Sequence, residues 1–436
     1  MNESGDRMRT YRALTFSEAS FVHPTSREVI GGSYELRGSV DVDAWRLAFG
    51  ALLREYPVLA ARVVTVDGRP HFAPGDPAIA AVTGFSDEAA PWSGYTQTPP
   101  PFVGNEQLSA LTLRGLDQSY QLTLWASHAA TDGAGIISIL ERLFELYTAF
   151  VSGTPPVLLP DNSFPAEPDA VMAARGHLPG KPDYEDRLVG TTWHGAVPRF
   201  DETVTDAPDV DNPFRVRFDA HQTAGLRAAA RSHGVSMHAL VSALIARAEL
   251  AECHDGAAIA LLTPVDFRAR LEPPIPLRSV TALCGFSYVA VTDDVVPALA
   301  RIIADSIRSD VRDGTVLRTA VSPMPDPMTR RHGPPVLISN IGEMPAFAVP
   351  PGLATLDFHS QLVRSAAGIR EYAKGWTSEG VPPSPIGSSY LILTFMGRLS
   401  VELRVLPGTL SDDARARLLR HIELGAHALL DVGATV

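Results

Sequence analysis

Three residues at short, fixed spacing offer the most reactive chemistry in this sequence. They are His128, Asp132 and Gly133, within the stretch LTLWASHAATDGAG that runs from Leu122 to Gly135. A neutral imidazole has an ordinary pKa of about 6.5, so it can take a proton from a hydroxyl or an amine near neutral pH. The pattern therefore predicts that His128 is a general base.

Asp132 and Gly133 have supporting roles in this hypothesis. The carboxylate of Asp132 either caps the following helix by accepting backbone N–H groups, or turns inward and pairs with an arginine. In both cases it orients the loop and does not carry the proton. Gly133 has no Cβ, so backbone or substrate can approach it closely and unusual φ angles cost little.

A strand and a helix flank the motif and fix its position. Alternating apolar residues predict a strand that ends near Ser127, and apolar residues at spacings of three and four predict a helix from Ala134 to Val151. His128 therefore lies in the connection, where a rigid scaffold can aim its side chain into a cleft. The alternative is a structural histidine whose ring nitrogens are satisfied by hydrogen bonds.

Four stretches together resemble one superfamily of acyltransferases. SHAATDG is similar to the HHxxxDG motif of nonribosomal-peptide condensation domains and polyketide-associated acyltransferases, and to the HxxxDG of BAHD acyltransferases. The other three, in the order that the resemblance requires, are RALTFSEASFV (Arg12 to Val22), PVDFRARLEPPIP (Pro264 to Pro276) and ISNIGEM (Ile338 to Met344). RALTFSEASFV resembles the N-terminal signature of the phthiocerol dimycocerosyl transferase type, which the chain resembles most among these groups.

The resemblance implies both a fold and an activity. These enzymes share the chloramphenicol acetyltransferase-like fold, so we expect an α/β protein of two sandwich domains with an active-site channel between them. An acyl group would pass from a thioester, on coenzyme A or an acyl carrier protein, to a hydroxyl, in preference to an amine, of a small-molecule or polyketide acceptor. The thioester is then a co-substrate, and no further cofactor is expected.

Two departures narrow the resemblance. Ser127 stands where condensation domains have the first histidine of their motif, which argues against an amide-forming condensation domain. The DFGWG motif of the BAHD type is missing from the sequence. Two alternatives stay open: a non-catalytic condensation-like module that binds a carrier protein, and an enzyme of the same fold that catalyses cyclisation or dehydration.

The candidate site extends to residues in both halves of the chain. A buried Asp132 needs a cation or several N–H donors, and Arg268 and Arg270 follow a predicted strand, so either is a candidate partner. The alternative is that both are solvated surface arginines. Ser127 and Gly133 are expected beside the substrate.

Three further residues have interpretations that a structure can decide. Asn340, at the end of a predicted strand, either steadies a substrate carbonyl with its amide or closes a turn. His238 lies on a predicted helix and is interpreted as a surface histidine. Asp43 is predicted to be the N-cap of a helix that ends at Glu55.

The composition bounds the class of protein. The chain has 436 residues, of which 45% are hydrophobic and 20% charged, an ordinary globular composition that is long enough for two domains. Its net charge of −12 argues against a nucleic-acid binder. Cys253 and Cys284 are the only cysteines, and no Cys/His cluster has metal-ligand spacing, so neither a disulfide framework nor a metal site is expected.

The chain also lacks several other functional signals. The sequence contains no G-x-S-x-G, P-loop or H-E-x-x-H motif, which leaves hydrolase and nucleotide chemistry unsupported. The N-terminal stretch has no apolar signal region, and no uncharged apolar run approaches about 18 residues. We therefore expect a cytoplasmic monomer without an integral membrane segment.

Strands that alternate with helices predict an α/β architecture in both halves. We expect an N-terminal domain over residues 1–175, which carries the motif, and a C-terminal domain over residues 214–436. The segment 176–213 is rich in proline and glycine, which break regular structure, and is predicted to be the crossover between the two.

Overall fold

The structure is a computed structural model, and it describes residues 10–23, 26–75, 85–86, 107–116, 118–159, 163–177, 185–195, 214–320, 333–345, 347–364, 386–405 and 409–433. Within these residues the strands are β1 (Arg12–Ala13), β2 (Val22–His23), β3 (Ser26–Gly38), β4 (Ala61–Val66), β5 (Arg69–Pro74), β6 (Phe85–Ser86), β7 (Ser109–Leu116), β8 (Ser119–Ser127), β9 (Phe214–Arg217), β10 (Ala258–Asp266), β11 (Cys284–Thr292), β12 (Val336–Glu343), β13 (Leu353–Arg364), β14 (Ser388–Phe395) and β15 (Arg398–Val405). The helices are α1 (Phe16–Ser20), α2 (Val42–Glu55), α3 (Gly133–Val151), α4 (Pro168–Ala173), α5 (Ala220–Ser232), α6 (Met237–Ala251), α7 (Val296–Arg312), α8 (Thr315–Ala320) and α9 (Asp412–Gly433). Short 3-10 helices cover Glu185–Leu188, Arg268–Arg270 and Leu277–Ser279.

The chain forms two compact units, each built from strands and helices as the α/β prediction requires. The first unit consists of Met1–Val171, Glu272–Ala282 and Phe347–Gly368, and the second of Met172–Leu271, Leu283–Ala346 and Ile369–Val436. The predicted C-terminal domain, 214–436, therefore differs from the second unit, because two of its segments fold into the first. The reason is long-range pairing: β13 is antiparallel to β3 along nearly its whole length.

The predicted crossover, 176–213, is only partly described. Its residues 185–195 belong to the second unit, where Leu188 joins a buried cluster and Thr192 bridges to Ile259 of β10. Residues 178–184 and 196–213 lie outside the described part of the chain. Residues 185–195 are therefore packed against the second unit.

The first unit is organised around a six-stranded sheet with the order β13-β3-β8-β7-β6 and with β2 paired to β3. Helices α2 and α3 pack on one face of it through aromatic side chains. Trp45 of α2 stacks on Tyr147 of α3 at 3.7 Å, and Tyr34 of β3 meets the edge of Phe144 at 5.0 Å. Strands β1, β5 and β4 form a separate three-stranded sheet.

Helix α2 begins slightly earlier than predicted. Its N-cap is Asp41, whose Oδ1 accepts a hydrogen bond from Ala44 N at 2.9 Å, so Asp43 as the N-cap was wrong. Asp43 lies instead in the first turn, where its exposed carboxylate pairs with Arg46. A carboxylate in this turn still favours the helix through the macrodipole.

Strand β3 was not predicted, because two glycines interrupt its apolar pattern. A Cβ on Gly31 would lie 2.5 Å from the carbonyl oxygen of Leu124, and one on Gly32 would lie 2.5 Å from a side-chain methyl of Leu140. Glycine weakens the local strand signal, yet here it allows β8 and α3 to approach β3 closely.

The second unit has a six-stranded sheet of order β11-β10-β12-β14-β15-β9, in which β12 runs parallel to both of its neighbours. The strands predicted before Arg268 and at Asn340 are present as β10 and β12. Helix α6 is buried along most of its length and contributes to the main apolar cluster of this unit. Its fully buried Glu249 accepts hydrogen bonds from Tyr390 at 2.7 Å and His194 at 2.6 Å.

No single helix in the described ranges has the length and apolar character to span a membrane. The helices α5 and α6 pass that test only as a pair, which is bent by 99°. Both contribute buried side chains to the core of the second unit.

His238, near the start of α6, is not the surface histidine that the sequence suggested. Both of its ring nitrogens are buried, and neither has a hydrogen-bond partner among the described residues. Burial penalises the charged imidazolium and lowers the pKa of His238 to about 4. The interpretation was wrong because α6 carries apolar residues on most of its circumference, so periodicity does not identify an outer face.

This burial predicts an acid-sensitive contribution to stability. In the unfolded protein the imidazole has a pKa of about 6.5. Below that pH the unfolded protein therefore binds a proton at His238 that the folded protein does not bind. The contribution is complete above pH ~6.5 and is lost as the pH falls toward the folded pKa of about 4, by about 3 kcal/mol in total. In urea denaturation between pH 7.5 and 4.5, the free energy of unfolding of His238→Leu should depend less on pH than that of the wild type. His254→Leu, at an exposed position, should keep the pH dependence of the wild type. A His238→Leu curve parallel to that of the wild type would contradict the burial.

Candidate active site

His128 directly follows β8, in the predicted connection between strand and helix. Its backbone N–H donates to the carbonyl of Glu28 at 2.9 Å, which extends the pairing of β3 and β8 by one residue. Two hydrogen bonds then turn the loop tightly. The carbonyl of Ser127 accepts from the N–H of Ala130, and the hydroxyl of Ser127 accepts from the N–H of Ala129. The backbone that carries the imidazole is therefore fixed by hydrogen bonds on both sides.

An aromatic ring fixes the imidazole itself. Phe21 stacks on His128 with ring centroids 4.3 Å apart and planes inclined by 7°. The carbonyl of Phe21 accepts from the N–H of Glu28, the residue whose own carbonyl binds His128. Phe21 was not predicted to be a site residue, because nothing in a single sequence shows that residues 21 and 128 meet.

The two imidazole nitrogens have different environments. Nδ1 is buried and has no hydrogen-bond partner among the described residues. His128 as a whole is half-buried, and Nε2 is not among the buried nitrogens. Nε2 is therefore the nitrogen that can meet a substrate proton.

Asp132 caps helix α3. Its Oδ1 accepts from the N–H of Gly135 at 2.9 Å, and its carbonyl accepts from the N–H of Ile136 at 2.9 Å. The residue is 5% exposed, so this hydrogen bond is shielded from water. The capping interpretation is confirmed, while a pairing of Asp132 with an arginine stays a prediction.

The glycine that the local fold requires is Gly135. A Cβ there would collide with the Thr131 hydroxyl oxygen, whereas a Cβ on Gly133 would meet no atom within 4 Å. Gly133 is exposed and its φ does not lie in the left-handed region, so its backbone conformation does not require glycine. What glycine provides at position 133 is open space at the start of the helix.

We expect Gly135→Ala to lower the free energy of unfolding by about 1–3 kcal/mol, because the loop must move to relieve the overlap with Thr131. The matched variant is Gly133→Ala, which should leave stability unchanged or raise it by up to about 1 kcal/mol, since alanine is the better helix former. Urea denaturation measures both. Equal stability of the two variants would contradict the role assigned to Gly135.

A buried ion pair anchors the helix that presents Phe21. Glu18 of α1 is 2% exposed, and its two carboxylate oxygens accept from the guanidinium of Arg12 at 2.7 Å each. Thr281 also donates its hydroxyl to Glu18. Phe21 is the C-cap of the same helix, so this ion pair fixes the helix from which the ring that contacts His128 extends.

A cavity of about 230 Å³ lies beside the loop within the first unit. Ala130 and Thr131 of the loop contribute to its wall, and Tyr56 forms a hydrogen bond with Ser138 there. Burial raises the pKa of Tyr56 from its ordinary value. His128 does not line this cavity, so the cavity is not assigned a role in the chemistry of the imidazole.

The predicted site residues of the second half all lie in the second unit. Arg268 is 3% exposed and lies 3.3 Å from the carboxylate of Asp266, whereas Arg270 is exposed. Asn340 closes a turn: its Oδ1 accepts from the N–H of Gly342 at 2.8 Å, which leaves the amide Nδ2 as a donor. A cation that pairs with a desolvated carboxylate must itself be buried. Of the two arginines, only Arg268 meets this condition.

Sequence comparisons relate the chain to named transferases. A family model described as the C-terminus of phthiocerol/phthiodiolone dimycocerosyl transferase matches residues 207–404. The phthiocerol/phthiodiolone dimycocerosyl transferase of Mycobacterium bovis strain BCG is 28% identical over 346 residues, which cover 75% of this chain and 80% of that protein.

Solved structures share the fold. Polyketide synthase associated protein 5 from Mycobacterium tuberculosis matches with a TM-score of 0.78 at 23% identity, covering 96% of this chain and 98% of that one. The first condensation domain of the calcium-dependent antibiotic synthetase matches with a TM-score of 0.67 at 16% identity, covering 98% and 97%. Trichothecene 15-O-acetyltransferase from Fusarium sporotrichioides matches with a TM-score of 0.66 at 12% identity, covering 96% and 95%.

These likenesses agree with the resemblance seen in the motifs and extend it over most of the chain. The chain is therefore an acyltransferase with the chloramphenicol acetyltransferase-like fold that condensation domains also share, and it resembles the phthiocerol dimycocerosyl transferase type.

Proposed function

We propose that this acyltransferase moves an acyl group from a thioester, on coenzyme A or an acyl carrier protein, to a hydroxyl of a small-molecule or polyketide acceptor, with His128 as the general base. The proposal places the reaction in the cytoplasm. Its relatives support the transferase class, and the hydroxyl acceptor is supported by the 15-O-acetyltransferase that shares the fold.

One observation carries the assignment of the base. His128 has one nitrogen, Nε2, left accessible, while Nδ1 is buried and the ring is held by Phe21. A general base must present one nitrogen at hydrogen-bond distance from the proton that it removes, and it gains from a fixed orientation. An ordinary structural histidine would instead use its ring nitrogens in hydrogen bonds to the protein.

The proton balance of the reaction follows from this geometry. Nε2 of His128 takes the proton from the acceptor hydroxyl as the oxygen attacks the thioester carbonyl carbon. The C–S bond then breaks, and the departing thiolate takes the proton back from the imidazolium. Negative charge develops on the carbonyl oxygen in between, so hydrogen-bond donors must face it, and Asn340 stays the predicted donor.

The proposal is tested by incubating the purified chain with acyl thioesters of coenzyme A and of a carrier protein, together with a panel of alcohols and amines. Mass spectrometry of the products should detect an ester, with free thiol released in equal amount. An amide as the main product would contradict the hydroxyl acceptor. No acylated product with any pair, from protein that is folded by circular dichroism, would contradict the proposed transfer.

Phe21 should affect the rate through His128. Phe21→Leu removes the stacked ring but keeps an apolar side chain, and a lost aromatic contact is worth about 0.5–1.5 kcal/mol, or roughly 2- to 12-fold in rate. We expect this decrease in kcat with little change in KM for the thioester, because the ring orients the base.

The matched control for this variant is Phe347→Leu, which removes an aromatic ring from the core contacts with Tyr34 and Phe144. It should reduce stability and leave kcat near the wild-type value. If both variants change kcat equally, Phe21 has only a general packing role.

A further inference from the structure

Three side chains that are typical metal ligands meet on one face of the six-stranded sheet. They are Glu35 of β3 and Asp357 and His359 of β13, and their ligand atoms all lie within 4.8 Å of one another. The side chain of His359 is fully buried, while the side chains of Asp357 and Glu35 are 15% and 24% exposed. The cluster lies within the first unit and includes no residue of the HxxxDG loop.

An irregularity in strand pairing creates this cluster. Thr355 pairs with Leu36 and Asp357 pairs with Glu35, so residue 356 is an additional residue in β13. Without this bulge Asp357 would face the opposite side of the sheet, because side chains alternate along a strand. The bulge thus places two carboxylates directly opposite each other, an arrangement that is unfavourable unless positive charge lies between them.

The distances within the cluster differ from those of a tight ion pair. His359 Nε2 lies 3.3 Å from Glu35 Oε1 and 3.2 Å from Asp357 Oδ2. A charge-assisted N–H···O bond is about 2.7–2.9 Å long, and one N–H can point at only one oxygen. In the second unit, by contrast, His194 Nε2 lies 2.6 Å from Glu249.

These separations fit ligands that share one central cation. In a tetrahedral zinc site with bonds of about 2.0–2.1 Å, neighbouring ligand atoms lie about 3.3 Å apart. Both separations from His359 Nε2 have this length. Two carboxylates and a neutral imidazole would also offset the charge of a divalent ion.

We propose that Glu35, Asp357 and His359 bind a divalent transition-metal ion, with Zn²⁺ as the best fit to one imidazole and two carboxylates. The partial exposure of both carboxylates leaves the fourth position to water. The ion links β13 to β3, and so secures a segment from late in the chain in the sheet that carries His128. Its role is structural, and it is independent of the proposed acyl transfer.

The test uses the full-length chain after treatment with a chelator. Co²⁺ serves as the spectroscopic probe, because it replaces Zn²⁺ in such sites and gives visible absorption, and elemental analysis after equilibrium dialysis measures bound Zn²⁺. We expect about one equivalent per chain in the wild type. Asp357→Asn, Glu35→Gln and His359→Gln should each weaken binding by roughly 10- to 100-fold or more, since each replaces a carboxylate or imidazole ligand with a weakly coordinating amide oxygen.

Matched controls are Asp43→Asn and His254→Gln, at exposed positions outside the cluster, which should bind as the wild type does. Zn²⁺ should also raise the melting temperature of the wild type and not that of Glu35→Gln, the variant at the most exposed ligand. Absence of stoichiometric binding to the wild type, or unchanged binding in the three ligand variants, would overturn the proposal. Neither result would bear on acyl transfer, which is measured separately.

Discussion

Replacing His128 with alanine is expected to lower kcat/KM by about 10²–10⁴-fold, the usual contribution of a positioned general base. The loss should fall mainly on kcat, because the imidazole acts on the proton in the transition state and contributes little to binding the thioester. Folding should survive, since the ring makes no hydrogen bond to the described residues and contacts Phe21 only by stacking. Steady-state kinetics and thermal melting measure the two effects.

His254→Ala is the control for this variant, because His254 is exposed and lies in the second unit. It should retain wild-type kinetics. If His128→Ala retains full activity, the proposed base is wrong. If it melts far below the wild type, its low activity would reflect unfolding and a structural role for the histidine.

Replacing Arg12 with alanine is expected to have the largest effect on stability. Glu18 is 2% exposed and would lose both hydrogen bonds from the guanidinium. Leaving a buried charge without its partner typically costs about 3–5 kcal/mol. Because Glu18 belongs to the helix that ends at Phe21, the folded fraction should also be less active.

An exposed ion pair of similar geometry provides the comparison for this effect. Arg46 lies 2.9 Å from Asp43, and the two side chains are 52% and 85% exposed. Arg46→Ala should cost only about 0–1 kcal/mol, because water already screens both charges. Similar losses in the two variants by urea denaturation would show that burial of Glu18 does not govern the stability of this region.

The local parts of the site could be predicted from the sequence. The strand that ends at Ser127, the loop position of His128 and the helix after it all follow from periodicities within one short stretch. The capping role of Asp132 was one of two predicted roles, and the hydrogen bond that makes the cap involves only nearby residues of the same loop and helix. Such features are encoded by neighbours in sequence, so pattern and propensity are sufficient to find them.

Contacts between distant residues could not be predicted in this way. Phe21 reaches His128 only because β2 and β3 return the chain to the end of β8. The pairing of β13 with β3, and with it the meeting of Glu35 and His359, joins residues more than 300 positions apart. No local pattern marks such pairs, and the polar residues that β13 buries hide its strand character.

Gly133 and Gly135 show a second limit of sequence reasoning. Both glycines follow the same aspartate, and the motif drew attention to the first of them. Only the positions of surrounding atoms show that Thr131 excludes a side chain at 135, while nothing nearby does so at 133. The residue type alone cannot distinguish a steric requirement from space left for another molecule.

In the proposed mechanism, His128 removes a proton and never carries the acyl group. Rapid-quench intact-mass spectrometry of the wild type, mixed with an acyl thioester and its alcohol acceptor, tests this most directly. We predict that acylated product accumulates from the first turnover while the mass of the protein stays unchanged. A protein species heavier by one acyl group, formed and consumed at the rate of turnover and absent in His128→Ala, would show a covalent intermediate and contradict the account.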